Sequence, residues 1–180
     1  MRHQLIEKQV LYEGKRIRLE IHHLDDEKTG KRLRREVVVH PGAVVILGFL
    51  DDGRLLLIRN RRYTIGQVLT ELPAGTLEKG EDPMNCAGRE LLEETGYLAG
   101  RLKPIGSFYT SPGILTEKMH VFAAYDLRHE GQSLDETEEI EVVPATMAQA
   151  IEMIHIGEIQ DAKTIAAVLM YERFHAMEQV

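Results

Sequence analysis

Seven residues in the stretch GTLEKGEDPMNCAGRELLEETGY, which runs from Gly75 to Tyr97, keep one set of distances: Gly75, five residues, Glu81, seven residues, Arg89-Glu90, two residues, Glu93-Glu94, one residue, Gly96. With each residue type at about one in fifteen of average composition, a chance match at all seven is roughly 10⁻⁸ per starting point. The stretch also constrains its own local structure. Asp82 and Pro83 supply an N-cap and a first helical residue, and Gly96 supplies a left-handed C-cap, so the spacing predicts a helix over 83–95. On that helix Glu90, Glu93 and Glu94 fall at i, i+3 and i+4 and share one face. Like charges so placed repel, and a hard divalent cation would neutralise them while leaving coordination positions for phosphate oxygens and water. Arg89, four residues before Glu93, is placed to hold that glutamate by an ion pair and so to orient it. Gly75 and Gly80 allow backbone in the approach loop to come close to an anion or metal. A glutamate-rich helix is ordinarily a solvated face. The flanking glycines, the upstream Glu81 and the apolar Leu91 and Leu92 favour the metal-binding alternative.

At 180 residues with 43% hydrophobic composition, the chain has enough apolar material for one well-cored catalytic domain with a small appendage. A net charge of −7 argues against a nucleic-acid surface, because phosphate backbones are bound through an excess of Lys and Arg. Positive charge is local: Arg59, Arg61 and Arg62 form one group, and Lys31, Arg32, Arg34 and Arg35 another. The single cysteine, Cys86, lies inside the expected helix and suits packing in a reducing cytoplasm. The N-terminal MRHQLIEKQV is too polar for a signal peptide, and no apolar run reaches the ~18 residues of a membrane span. A soluble cytoplasmic protein without a membrane partner is expected.

The first forty residues alternate β-rich runs with turn signals, as in IEKQVLY, KRIRLEIHHL and LRREVVVH, and read as a small antiparallel sheet. Pro41-Gly42 closes that region, which predicts an N-terminal arm over 1–40 and a catalytic domain over 41–180. AVVILGFL, the DDG turn at 51–53 and RLLLIRN predict a central hairpin. Further strands are expected near 68–72, 102–109, 119–127 and 140–144, with helices at 146–156 and 161–177, the latter started by Asp161. Mixed strands with one internal and two terminal helices predict an α+β fold or α/β/α sandwich.

The Gly75–Tyr97 stretch resembles the Nudix box, the signature of the Nudix hydrolases. That resemblance implies the Nudix α/β/α sandwich and cleavage of nucleoside diphosphates linked to another moiety, with Mg²⁺ or, as a substitute, Mn²⁺. Carried onto this chain, it implies Glu90 and Glu94 as the main metal ligands, Glu93 assisting, and the carbonyl of Ala74 contributing.

Three features outside the box are similar to the ADP-ribose pyrophosphatase branch. Pro112, in Ser111-Pro112-Gly113, lies sixteen residues beyond Gly96, although Ser-Pro-Gly is also ordinary turn chemistry. NRRYTIGQVLTELPAG resembles the strand that carries a phosphate-binding arginine, matched by Arg62, with Arg61 where most relatives have an aromatic residue. The acidic loop DETEEIEVV resembles the one that delivers a water-activating glutamate: Glu136 as base and Glu138 as an additional metal or water ligand, with Glu139 the alternative and a solvated acidic loop the plain structural one. The same branch implies a homodimer in which the N-terminal sheet exchanges between subunits and helps build the partner's substrate site, with Arg35 reaching a phosphate or ribose; as structure alone, Lys31 to Arg35 would be a charged edge strand. Arg89 among the catalytic groups and Glu81 among the substrate-binding ones complete the site that the resemblance implies. The resulting expectation is Mg²⁺-dependent hydrolysis of ADP-ribose to AMP and ribose 5-phosphate. GDP-mannose or a broad set of nucleotide sugars is the alternative, and a non-catalytic nucleotide-sugar sensor the competing class.

Overall fold

Alternation along three apolar strands explains how the larger part of the molecule is layered. In β4 (Ala43–Gly48) all six residues are buried. Val45 and Leu47 enter one hydrophobic cluster, and Val44 and Ile46 enter another. The same division recurs in β5 (Leu55–Arg62), with Leu55 and Leu57 against Leu56, and in β9 (Lys118–His129), with Val121 and Ala123 against Phe122 and Ala124. Successive strand residues face opposite ways, so strands that are apolar throughout require cover on both faces. One cluster takes in Cys86, Ala87 and Leu91 of α1 (Pro83–Thr95); the other takes in Ala150 of α2 (Met147–His155) and Ala167, Val168 and Tyr171 of α3 (Ala162–Phe174). The result is an α+β sandwich, seen in a computed structural model that describes residues 2–134 and 138–175.

Two compact units make up the chain, one of Ala43–Phe108 and Met119–Val180, the other of Met1–Gly42 and Tyr109–Lys118. In the larger unit one sheet has the order β10-β5-β6 and the other β7-β4-β9-β8, where β6 is Gln67–Glu71, β7 Ala74–Thr76, β8 Tyr97–Tyr109 and β10 Ile140–Ala145. The expected hairpin between β4 and β5 does not form. The tight turn is present, with Leu50 N–H donating to the Arg54 carbonyl at 2.8 Å, but only an isolated bridge, Phe49 to Leu55, joins the two runs. The edges of β4 are taken by β7, antiparallel, and β9, parallel; those of β5 are taken by β6 and β10. Two strands that each need both faces covered are better served by two sheets than by one ribbon, and the turn becomes a corner between them. β7 has no counterpart among the strands expected from sequence, since three residues that include a glycine carry no alternation signal.

The smaller unit holds an antiparallel sheet of β1 (His3–Glu13), β2 (Arg18–Asp26) and β3 (Arg32–Val39), in that order. Every residue of β1 is exposed, among them Leu5, Ile6, Val10, Leu11 and Tyr12. Two acids of this sheet are nonetheless buried. Asp26 accepts a forked pair from Arg2 and the backbone N–H of Lys28, and Glu20 accepts from Arg18 at 2.6 Å with His22 Nε2 at 2.7 Å. The segment containing Pro112 lies against the end of β3, where Val38 N–H donates to the Ile114 carbonyl and Thr116 N–H to that of Val38.

Candidate active site

Helix α1 begins and ends where its sequence signals stand. Asp82 Oδ1 accepts from Met84 N–H at 2.9 Å, Pro83 opens the helix, and Gly96, at φ 77°, donates its N–H to the Leu92 carbonyl at 2.8 Å. The three box glutamates then differ in exposure and in partners. Glu94 is buried, 3% exposed, and its Oε2 accepts from the Ala74 N–H at 2.9 Å, which ties it to β7. Glu90 lies against Gly75: a Cβ built there would stand 1.8 Å from the Glu90 carboxyl carbon, so only glycine leaves room for that side chain. Glu93 is more open.

Arg89 gathers the acids beside it. Its Nε and Nη2 form a fork onto Glu81 at 2.9 and 3.0 Å, and its Nη1 reaches Glu90 at 2.8 Å and Glu93 at 3.0 Å. The guanidinium pulls Glu81 down to about 2, and Glu81 also accepts from the Glu78 N–H. Arg89 therefore orients three glutamates at once, more than the single partner its spacing suggested. Its own pKa rises, chiefly through Glu81.

Glu90 and Glu94 behave differently from Glu81. Burial raises Glu90, with Arg89 opposing the shift and the charges of Glu93 and Glu138 adding to it. Burial pushes Glu94 up to about 8, opposed by the Ala74 N–H and reinforced by Glu90 and Glu138. Two carboxylates in low dielectric, crowded by a third, make a site that favours either protons or a cation. Among the described residues no three His, Cys, Asp or Glu side chains are already drawn into a cage. The fit to a divalent ion lies in this hard-oxygen donor set, and in the glycine at position 75 that lets the Glu90 carboxylate lie against β7.

Glu138, more than forty residues beyond the helix, acts by its charge on both Glu90 and Glu94, and residues 130–133 are fastened to the end of the helix at Gly96. The carbonyl of Gly96 accepts from Glu130 and Gly131 N–H, Ser133 N–H donates to the Glu93 carbonyl, and Gln132 Nε2 donates to that of Glu94 at 2.7 Å. A Cβ at Gly96 would sit 2.8 Å from Gln132 N, so this glycine both turns the chain and admits the loop. Gln132 was not anticipated; a single amide in a polar loop carries no distinguishing pattern. Glu139 pairs with Arg61, at 4.0 Å between side chains and 3.3 Å from the Arg61 N–H to the Glu139 carbonyl. Glu136 lies outside the described residues.

Arg62 directs Nε and Nη2 onto buried Glu71 at 2.8 and 2.5 Å and lies within electrostatic reach of Glu94. The larger unit thus contains Ala74, Glu81, Arg89, Glu90, Glu93, Glu94, Glu138 and Arg62. Arg35 and Pro112 belong to the smaller one: Arg35 is exposed on β3, donating to the Arg34 carbonyl, and Pro112 is exposed in the turn after Ser111. Burial pushes the Cys86 thiol up to about 12, in keeping with packing rather than reactivity. No helix among the described residues is long and apolar enough to cross a membrane.

Comparison with known proteins agrees with this arrangement. Over 175 residues the chain is 40% identical to the ADP-ribose pyrophosphatase of Bacillus subtilis (strain 168), covering 96% of this chain and 94% of that one. It is 37% identical over 166 residues to a GDP-mannose pyrophosphatase of Yersinia enterocolitica, covering 86% and 85%. The crystal structure of an ADP compounds hydrolase superposes with a TM-score of 0.86 at 22% identity, over 99% of this chain and 97% of that one, a likeness of fold. The NUDIX domain model matches residues 39–168, and with a glutamate helix, its glycine approach and its sandwich all in place, the chain belongs to the Nudix family.

Proposed function

We propose that this protein hydrolyses the pyrophosphate bond of ADP-ribose or a related nucleoside-diphosphate sugar, releasing a nucleoside monophosphate and a sugar phosphate, with Mg²⁺ as the metal and Mn²⁺ as a substitute. The observation that carries this reading is buried Glu94, which accepts from the Ala74 N–H, with half-buried Glu90 beside it and the charge of Glu138 acting on both. Glu90 and Glu94 would hold the metal, with Glu93 and the Ala74 carbonyl contributing. Bound divalent cations supply charge neutralisation at the diphosphate and a more acidic water. Arg89 keeps Glu90 and Glu93 in place, Arg62 contacts substrate, and the family resemblance assigns Pro112 to substrate binding as well and Arg35, on the exchanged arm, to the substrate site of the partner subunit. Glu136 is assigned as the base that accepts the water proton, and Glu138 as an added metal or water ligand, with Glu139 the alternative. The water oxygen bonds to one phosphorus as the bridging oxygen leaves with the electron pair of the broken P–O bond.

The experiment is turnover of ADP-ribose, GDP-mannose, other nucleotide sugars and dNTPs with Mg²⁺, with products identified chromatographically. Preference for ADP-ribose giving AMP supports the reading. Comparable rates across nucleotide sugars, or preference for GDP-mannose, would move it to the second reading, which the Yersinia relative favours. No turnover of any of them overturns it.

The exposed apolar residues of β1 support a homodimer formed through the 1–40 arm, the catalytic domain being 41–180. A monomer by light scattering at micromolar concentration would refute that assembly. With one buried cysteine and a net charge of −7, we place the protein in the cytoplasm with no nucleic-acid or membrane partner.

A further inference from the structure

A fully buried glutamate next to the site is used by none of the steps above. Glu71, at the end of β6, is 0% exposed, yet it carries a carboxylate into the sandwich. Its oxygens take Arg62 Nε and Nη2, and Oε2 also takes Lys163 Nζ at 2.5 Å. Lys163 is held in turn by Asp161 at 2.9 Å, and Asp161 caps α3 through Thr164, whose hydroxyl accepts from the Leu72 N–H. Two cations and two anions, all on the larger unit, thus tie the end of β6 to the first turn of α3.

The strand register shows that this is not a pairing of opposite neighbours. Arg62 stands opposite Gln67, and Glu71 opposite Ile58, so the guanidinium is drawn back along the sheet toward the interior. An arginine at a strand end ordinarily extends its head to water. Buried ion pairs are also poor stabilisers, since apolar residues of similar volume often serve as well; what such a pair supplies is a fixed place for its charge.

We propose that Glu71 is the positioning residue for Arg62: it grips the Nε edge of the guanidinium with both oxygens and fixes that cation beside Glu94, where a diphosphate held at the box carboxylates meets it. Nη1, which does not enter the Glu71 pair, is then the part of the fork that faces substrate. Lys163 balances the buried charge and anchors α3 without touching substrate. The inference rests on the reading that Arg62 binds a substrate phosphate.

A double-mutant cycle tests it, with Glu71→Gln, Arg62→Ala and the two combined, measuring kcat and KM for ADP-ribose with Mg²⁺ and Kd for ADP-ribose in EDTA by calorimetry. Glu71→Gln should raise KM and Kd about tenfold with kcat within about threefold, and should add nothing once Arg62 is alanine. Lys163→Met, which keeps the partner of Arg62, should lower the melting temperature with KM within about twofold of wild type. If Glu71→Gln fails to fold, Glu71→Gln/Lys163→Met removes one charge of each sign and should show the same rise in KM. Effects that multiply in the combined variant, a melting-temperature loss without a change in KM, or an equal KM rise for Lys163→Met would overturn the inference. If the wild type neither cleaves nor binds ADP-ribose, the function reading falls, and the same cycle on Kd for inorganic pyrophosphate decides the positioning role by the same additivity criterion.

Discussion

Both units of this protein bury paired carboxylates, Asp26 and Glu20 in one and Glu71 in the other, and the box glutamates Glu90 and Glu94 are treated in the opposite way. In the N-terminal sheet, Asp26 is held well below the usual carboxylate range by Arg2, and Glu20 is lowered by His22 and Arg18. In the larger unit, burial prevails over the available partners at Glu90 and Glu94, and both are raised. The difference lies in the number and reach of the donors. Asp26 receives a guanidinium fork and two backbone N–H groups, whereas Glu94 receives one backbone N–H and faces two other acids. A buried acid that is fully paired closes a structure; one left short of positive charge is a vacancy for a cation or a proton.

The sharpest way to break this comparison is to remove the unpaired charge. Glu94→Gln keeps an acceptor for the Ala74 N–H and should lower kcat on a nucleotide sugar by about 10³-fold with a much smaller change in KM. Near-normal kcat would show that Glu94 is structural, like Asp26. Next in size, Gly75→Ala puts a methyl where the Glu90 carboxyl lies and should lower kcat about 10²-fold, while circular dichroism shows the fold retained.

The third prediction concerns pH. The folded-state pKa of Glu94 is about 8 against 4.5 for the ordinary carboxyl, so the unfolded chain releases that proton first. The contribution of Glu94 to metal-free stability is thus present below 4.5 and declines as pH rises from 4.5 to 8. Glu94→Gln should therefore raise the metal-free melting temperature at pH 8, and the stabilisation by Mg²⁺ should grow with pH across that window. Asp26 carries the opposite sign: its folded-state pKa is depressed, so its contribution is present above the ordinary 3.8 and lost on acidification below it. Melting curves with equal pH dependence for Glu94→Gln and Asp26→Asn would erase the distinction. The smallest effect is expected at Arg34 and Glu36, an exposed pair at 3.0 Å, where Glu36→Gln should leave the urea midpoint unchanged within error.

The parts of the site that were legible beforehand are those encoded within a few turns of chain. The caps at Asp82 and Gly96 and the stripe of Glu90, Glu93 and Glu94 depend on residues three or four apart, so α1 could be bounded and its acidic face named. Arg89 was identified as an orienter for the same reason, although its fork onto Glu81 across the approach loop was not foreseen. Strand existence was legible from apolar runs, but strand partners were not, as β4 and β5 show. Glu71 escaped notice because one acid in an apolar run has no period, and its partners Arg62 and Lys163 are nine and ninety-two residues away.

By itself, then, the sequence determined a capped helix with three carboxylates on one face, the glycine beside it, and the family to which they belong. Tertiary structure alone decided which of those carboxylates is buried, that the charge of Glu138 reaches them, and that Arg62 is held by Glu71. Helix caps and helical spacing act over a single turn and can be read along the chain. Burial, by contrast, is a property of what distant segments place on top of a residue, and it sets the charge balance on which the site depends.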